Sequence, residues 1–277
     1  MFKINNITRG RFGNRILHYN NLMQLSYHWG QEASCSPWEG HTYFSNLVTE
    51  RPPENPQIIL KYDQISSPTL TSTFDYAVEQ NCLHNVFWDL TKYDPRLFMQ
   101  IQDKFTVTLD NTKTNIGIHL RGGDFLTRSP RQVHYPDFYL NAIDLVESQF
   151  ENIKYYVCTD DYSFGSFIAT INYLRSKNCE FEIGGKDHFF DFALLSECDI
   201  LIASSSTFVI CAGFLGKPDK KIIHSLEWVM KNLPGDTYDK WGTYTEEYPE
   251  SFYKSFDNFW IKLYNGGNEY YHAWKFI

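Results

Sequence analysis

Ile116-Gly117-Ile118-His119-Leu120-Arg121-Gly122-Gly123-Asp124 is the stretch that decides the fold of this 277-residue chain. Its apolar start predicts a β-strand, and side chains on a strand alternate between two faces. The isoleucines and Leu120 therefore share one face, whereas His119 and Arg121 share the other. Two glycines follow at once, which is typical of a sharp turn where a ligand approaches the backbone.

The position of Arg121 at the end of this strand indicates a binding role. Open α/β sheets hold their ligands beyond the carboxyl ends of their strands. An arginine supplies a planar, permanently charged fork that suits phosphate oxygens. We therefore expect Arg121 to face an anionic ligand, with His119 beside it.

From residue 115 onward the apolar pattern alternates between strands and helices. Continuous apolar runs predict strands, apolar positions three and four residues apart predict helices, and Asp187 suits a helix N-cap. Strands are expected at 116–120, 155–158, 181–183, 200–203 and 221–224, and helices at 136–150, 164–177, 188–198 and 207–215. This alternation predicts βαβ units and a parallel sheet.

The first part of the chain also begins as strand, glycine loop and helix. A strand from Phe2 to Ile7 leads into Gly10-Arg11-Phe12-Gly13-Asn14, and the helix that follows has Gly30 as its stop. The loop has neither the G-x-G-x-x-G dinucleotide pattern nor a P-loop, but a glycine turn that opens a helix still presents N–H groups to an anion. Asn14 suits a ligand contact and a helix N-cap equally, and both alternatives stay open.

The fold class predicted from these patterns is α/β, with two Rossmann-like domains facing across a cleft. The polar stretch 111–114 predicts the boundary, which gives domains 1–112 and 113–245 and a helical, aromatic tail at 246–277. Between 31 and 110, prolines separate short strand-like pieces such as Ile58-Ile59-Leu60.

The composition of the chain indicates which partners the protein binds and in which compartment it works. The formal net charge of −8 disfavours nucleic acid and anionic membranes as partners. No window approaches the apolar length of a membrane span, and peripheral association stays open. The six cysteines show no C-x-x-C spacing, so we expect buried thiols and a cytoplasmic protein. No histidine pattern typical of a metal site occurs, and no metal is expected.

A second candidate is Ser204-Ser205-Ser206-Thr207-Phe208, which lies between an expected strand and an expected helix. Hydroxyls and the N–H groups of a helix start form a site for anions. Plain N-capping by Ser206 or Thr207 is the alternative. Because Arg121 lies in the same half of the chain, phosphate binding is favoured.

Further candidates are carboxylates near expected strand ends or helix starts. Asp191 could accept hydrogen bonds from a purine edge, whereas its local pattern alone favours a solvated position on a helix surface. Asp160-Asp161 follows a strand end but lacks the D-x-D form that holds a metal diphosphate, and solvated loop carboxylates are at least as good an interpretation.

Four segments in this order resemble the GT-B fucosyltransferase superfamily of α-1,2-, α-1,6- and protein O-fucosyltransferases. Residues 10–14 resemble its opening G-x-x-G-N loop, in the form seen in protein O-fucosyltransferases. Residues 119–125 resemble the H-x-R-x-G-D-[FY] motif of the α-1,2 group, glycosyltransferase family 11. Residues 159–161 resemble its [ST]-D-D, and 191–208 the segment from a helical Asp to a Ser/Thr-rich turn. Gly122 stands where the α-1,2 and α-1,6 groups usually carry a second arginine, so the linkage stays open.

The resemblance implies a GT-B-like fold and an inverting, metal-independent glycosyltransferase. It would move fucose from GDP-fucose to a hydroxyl of a glycan acceptor, with an α-1,2 linkage favoured and no cofactor. Domain 1–112 would be the acceptor side, and domain 113–245 would bind the nucleotide sugar. A transferase that uses another nucleotide sugar, or a non-catalytic glycan-binding protein on the same fold, is the alternative.

The same resemblance implies roles for single residues in the C-terminal domain. Arg121 would hold the β-phosphate and stabilise the leaving GDP, while His119 and Asp191 would contact the guanosine. The diphosphate would be contacted by Ser206, Thr207 and Phe208.

Two further candidate catalytic residues stand beside Arg121. Asn14 would reach in from the facing domain together with Gly13. Asp124 follows the donor motif closely, although a brace for the glycine turn is favoured. A general base is not identified: the acceptor side offers Glu32, Glu39 and Asp63, and a dissociative transfer with weak base assistance is the alternative.

Overall fold

The computed structural model describes residues 2–4, 7, 10–51, 57–60, 75–78, 95–128, 134–185, 187–217, 220–225 and 260–264. The chain divides into two compact units, residues 1–103 and 104–277. The observed division lies upstream of the polar stretch 111–114. The domain limits inferred from the sequence stay predictions.

The first unit contains a parallel sheet and a small antiparallel pair. Its strands are β1 Phe2–Ile4, β2 Ala33–Cys35, β3 Phe44–Ser45, β4 Gln57–Leu60, β5 Asp75–Val78 and β6 Gln100–Ile101, and its helices are α1 Phe12–Trp29 and α2 Gly40–Tyr43. The parallel sheet has the order β2-β1-β5-β4, and β3 pairs with β6. The expected strand at 58–60 and the opening strand and helix are confirmed.

Helix α1 begins earlier than the sequence suggested. Gly10 has a positive φ of 78°, which completes the turn, so the helix starts at Phe12 directly after an N-cap at Arg11. Gly13 and Asn14 therefore lie in the first helical turn and not in a loop, and the N-cap alternative for Asn14 is wrong. Gly30 ends the helix in the left-handed conformation, as expected.

The second unit is a six-stranded parallel sheet with helices between its strands. The strands are β7 Thr114–Leu120, β8 Ile153–Thr159, β9 Glu180–Ile183, β10 Ile200–Ala203, β11 Lys221–Ser225 and β12 Trp260–Tyr264. The helices are α3 Phe125–Arg128, α4 Pro136–Glu147, α5 Gly165–Ser176, α6 His188–Glu197 and α7 Thr207–Leu215. The strands and helices expected from residue 115 to 224 are confirmed.

The order of this sheet is β12-β11-β10-β7-β8-β9. The chain builds outward from β7 to β9, then returns to the other side of β7 and builds outward again from β10. His119 is paired with Ala203 and Leu120 with Thr159, so β7, β8 and β10 end at one edge. The reversal between β7 and β10 is where such sheets hold ligands.

The two faces of β7 are covered as its alternation predicts. Ile116, Ile118 and Leu120 are fully buried in a core with Tyr139 and Ile143 of α4. Gly117 lies on the opposite face. A Cβ there would come within 2.7–2.8 Å of the side chains of two leucines, one on β10 and one on α6. The glycine therefore lets α6 pack closely on the strand that carries the His-Arg motif.

The C-terminal tail departs from the expected helix. Trp260–Tyr264 is a strand that pairs in parallel with β11. Apolar Ile261 and Leu263 alternate with Lys262, a two-residue period that suits a sheet. The rest of the predicted tail lies outside the described residues. Within the described part of the chain, no helix combines the length and apolar character needed to cross a membrane.

Candidate functional site

The structure brings the two main sequence candidates together at the reversal of the second sheet. His119 lies at the end of β7 and Ser204 directly after β10, and His119 Nδ1 and Ser204 Oγ share a hydrogen bond of 2.7 Å. Asp160 joins them from the end of neighbouring β8. The strand order alone therefore assembles a site from segments distant in sequence.

His119 is buried and neutral. Burial, followed by the nearby charge of Arg121, lowers its pKa to about 3. Its ring stacks on Phe208 with centroids 5.3 Å apart, while Ser204 fixes one ring nitrogen. Because the imidazole carries no charge near neutral pH, it adds shape and hydrogen bonding to the site and no positive charge.

Arg121 is the cation of the site and is only 8% exposed. Its Nη1 donates to Asp160 and its Nη2 to Asp124. The guanidinium carbon lies 4.6 Å from the centre of the Phe125 ring. The sequence predicted a fork that faces an anionic ligand, whereas here the fork holds two carboxylates. One of them comes from its own turn and the other from the adjacent strand.

Asp160 also fixes the glycine turn. Its Oδ1 accepts the N–H of Gly122 at 2.9 Å. Gly123 has a φ of +45°, and a Cβ there would lie 2.5 Å from Asp160 Oδ2. Asp160 is thus an exposed residue just past the strand end, as the solvated interpretation expected, and its carboxylate also binds Arg121 and the glycine turn. Its neighbour Asp161 does serve a local turn, where it accepts the N–H and hydroxyl of Ser163 at 2.9 and 2.6 Å.

The serine turn combines capping with a position suited to an anion. Ser206 is the N-cap of α7 and accepts the N–H of Phe208 at 3.3 Å. Ser205 Oγ lies 3.2 Å from His134 Nε2. The capping interpretation is therefore confirmed for Ser206, and phosphate binding by this turn stays a prediction.

Asp191 is buried at 7% exposure, so its interpretation as a solvated surface residue is wrong. Its Oδ1 accepts the N–H of Gly185 at 2.6 Å, and burial raises its pKa. Gly184 makes room for this approach, since a Cβ there would lie 2.5 Å from Asp191 Oδ1. The predicted N-cap of this helix is confirmed, because Asp187 accepts the N–H groups of Phe189 and Phe190.

The first unit positions its own candidates around Gly10. A Cβ on Gly10 would lie 2.5 Å from Asn14 Nδ2, so the Asn14 side chain folds back over the turn. Arg15 donates to the carbonyl of Gly10 at 3.1 Å and pairs with Glu39 at 2.8 Å. The Glu39 carboxylate therefore forms an ion pair with Arg15 near the start of α1.

Sequence reasoning did not find three of the contacts at the site. The roles of Asp160 and His134 depend on strand order, which places β8 beside β7 and the serine turn beside His134. The stacking of Phe125 on Arg121 carried a weak signal, since an aromatic residue ends the motif. Among the described residues, no group of three or more His, Cys, Asp or Glu side chains is arranged to hold a metal ion.

Comparison with solved structures identifies the class of fold. NodZ α-1,6-fucosyltransferase soaked with GDP-fucose is 12% identical, with a TM-score of 0.55 over 84% of this chain and 97% of that chain. POFUT1 in complex with GDP-fucose is 10% identical, with a TM-score of 0.53 over 79% and 94%. A variant of FUT1 from Arabidopsis thaliana in complex with GDP is 11% identical, with a TM-score of 0.53 over 85% and 71%. The fold is therefore the GT-B fold of fucosyltransferases.

The family follows from the sequence. Residues 57–248 match the family model of Glycosyl transferase family 11, and the chain belongs to that family. It is therefore an enzyme, a glycosyltransferase, and the resemblance expected from the motifs is confirmed. No curated protein matches the chain by sequence.

Proposed function

We propose that this protein transfers fucose from GDP-fucose to a hydroxyl of a glycan acceptor, with inversion at the anomeric carbon, without a metal and with an α-1,2 linkage. The observation that carries the proposal is the meeting of the His119–Asp124 motif and the Ser204–Phe208 turn at the sheet reversal. Its place of action is proposed to be the cytoplasm.

The chemistry of glycosyl transfer explains what such a site must supply. Breaking a bond between a sugar and a diphosphate builds negative charge on the leaving GDP. Without a metal, cationic side chains and backbone N–H groups have to stabilise that charge. Arg121 and the first turn of α7 provide both kinds of group at one edge of the sheet. Ser206, Thr207 and Phe208 are the proposed diphosphate contacts.

The nucleoside end of the donor is proposed to lie towards His119 and Asp191. A neutral, fixed imidazole and a buried carboxylate are suited to read hydrogen bonds of a base or a ribose. The names of NodZ and POFUT1, both solved with GDP-fucose, support this choice of donor. Gly13 and Asn14 of the first unit stay predicted donor contacts, and Asp124 stays a predicted catalytic-site residue.

Binding and turnover test the proposal together. Thermal unfolding is measured with GDP, UDP and dTDP, because a ligand that binds only the folded chain raises its melting temperature. Turnover is then followed with GDP-fucose and an array of glycan acceptors, with and without EDTA, and NMR gives the anomeric configuration and linkage of the product.

We expect stabilisation by GDP above the other two nucleotides and a fucosylated product that forms equally well in EDTA. Stabilisation by UDP or dTDP instead would assign a different nucleotide sugar. Absence of both hydrolysis and transfer would indicate a glycan-binding protein on this fold. Arg121→Ala is the matched control, since it removes the proposed phosphate ligand.

A further inference from the structure

The guanidinium of Arg121 is paired with more negative charge than it carries. Asp160 takes Nη1 and Asp124 takes Nη2, so one cation faces two anions. His119 adds no positive charge, because burial keeps it neutral. Among the described residues paired with the fork, two carboxylates therefore face one guanidinium, and they compete with a diphosphate for its N–H groups.

The two carboxylates differ in how they are tied to the fold. Asp160 follows β8, accepts the N–H of Gly122 at 2.9 Å and lies against the positive-φ Gly123. Moving it would break the glycine turn. Asp124 belongs to the turn itself and stands three residues after Arg121, at the start of α3. In contrast to Asp160, its carboxylate is not part of the contact with the N–H of Gly122 that fixes the glycine turn.

We propose that Asp124 is an exchangeable substitute for the donor's phosphate. It holds Nη2 of Arg121 while the site is empty, and a phosphate oxygen replaces it there when the nucleotide sugar binds. Asp160 keeps Nη1 and the glycine turn in position in both states. The inference rests on the proposed function, because it takes the ligand of Arg121 to be a nucleoside diphosphate.

The exchange of Asp124 for a phosphate oxygen has two measurable effects, weaker binding of the nucleotide and faster release of GDP. A ligand that must first displace an internal ion pair binds only to those molecules in which the pair is broken. Its apparent affinity is therefore lowered in proportion to the fraction of such molecules. When the sugar has left, the returning carboxylate competes with the phosphate of GDP and speeds its release. Removal of the Asp124 carboxylate should therefore tighten nucleotide binding, which damage to the fold cannot do.

The test is calorimetric titration of GDP into the full-length wild-type chain and three variants. Asp124→Asn and Asp124→Ser both remove the competing charge. Asp161→Asn is the matched control, because it removes one charge from the same sheet edge at a carboxylate that binds Ser163 instead. Thermal unfolding without nucleotide shows that each variant is folded.

We expect both Asp124 variants to bind GDP about tenfold more tightly than the wild type, and Asp161→Asn to stay within about twofold. With GDP-fucose, the KM and the kcat of Asp124→Asn should fall together, because GDP leaves more slowly. Equal or weaker GDP binding by both Asp124 variants would overturn the inference. Equal tightening by Asp161→Asn would overturn it as well, since bulk charge would then explain the gain.

The two proposals fail in different ways. If the wild type binds UDP or dTDP and not GDP, the donor assignment fails, and the same titrations with the nucleotide that does bind test the role of Asp124. If the wild type binds GDP but Asp124→Asn shows no gain, the proposed function stands and the exchange is wrong. If none of the three nucleotides binds, both proposals fall.

Discussion

At the scale of single residues, the role of Arg121 in the site depends on the planar shape of its guanidinium as much as on its charge. Its two terminal nitrogens hold carboxylates from different segments, and its plane lies over Phe125. A lysine offers a point charge on a flexible stem and can neither bridge two partners in one plane nor stack in the same way.

Arg121→Lys should therefore lose most of the activity. Removing one donor to a developing oxyanion typically lowers turnover by about 10²–10³-fold, and Arg121→Ala should lose at least as much. The measurement is kcat with GDP-fucose. The control is Arg175→Lys in the last turn of α5, which makes the same arginine-to-lysine substitution away from the site. Turnover near the wild-type level in Arg121→Lys would contradict the role assigned to the fork.

The low pKa of His119 predicts how the stability of the protein changes in acid. Its pKa is lowered to about 3, so between that value and its ordinary value near 6.5 the unfolded chain binds a proton that the folded chain does not. The free energy of unfolding should then fall with falling pH, by about 1.4 kcal/mol per pH unit for this group. Urea unfolding at pH 7.5 and 5 is compared between the wild type and His119→Gln, and the variant should show the shallower loss. Equal losses in both proteins would mean that His119 accepts a proton in the folded state.

At the scale of elements, the glycine turn after β7 connects the sheet to the site. Gly123 has a positive φ, and its Cα approaches the carboxylate of Asp160 too closely for a side chain. The turn, the carboxylate and the fork of Arg121 therefore form one unit that is sensitive to the addition of a single methyl group.

Gly123→Ala should weaken GDP binding strongly and cost about 1–3 kcal/mol of stability, because it strains the backbone and displaces Asp160. Gly165→Ala is the control, since a Cβ at the start of α5 would have no neighbour within 4 Å. That control should be neutral or stabilise the protein by about 0.5 kcal/mol. The two variants are compared by urea unfolding and GDP titration, and similar behaviour in both would show that the turn is not strained.

The elements were predictable from the sequence wherever their pattern was local. The alternation in β7, the cap at Asp187 and the hydroxyl turn before α7 all act within a few residues. Asp191 was misjudged because its burial depends on a glycine loop brought beside it by the sheet, and the contacts of Asp160 were missed because they depend on the neighbouring strand β7. The strand Trp260–Tyr264 was misjudged because helix and strand patterns compete in a short aromatic segment, and pairing with β11 decides between them.

At the scale of the whole molecule, four buried thiols of the described residues contribute to the response to alkali: Cys35, Cys158, Cys198 and Cys211. Burial raises the pKa of Cys35 and Cys198 from 9.0 to about 12, and it raises those of the other two as well. Above pH 9 the unfolded chain therefore loses protons that the folded chain keeps, and stability falls. Lys220 acts in the opposite direction, because burial lowers its pKa from 10.5 to about 8.

The four thiols outnumber the lysine, so these five groups together should contribute a loss of about 3 kcal/mol between pH 8 and pH 10. Urea unfolding in the presence of a reductant measures it, and Cys211→Ala should reduce the loss because it removes one of the four groups. A free energy of unfolding that is constant up to pH 10 would show that these thiols ionise equally in both states.

The proposed function requires that the fork of Arg121 and the first turn of α7 bind the phosphates of a nucleoside diphosphate. A crystal structure of the full-length protein with GDP tests it most directly. We expect a β-phosphate oxygen within hydrogen-bond distance of the Arg121 guanidinium and of a backbone N–H at the start of α7. Phosphates bound elsewhere, with Arg121 still paired to both Asp124 and Asp160, would contradict it.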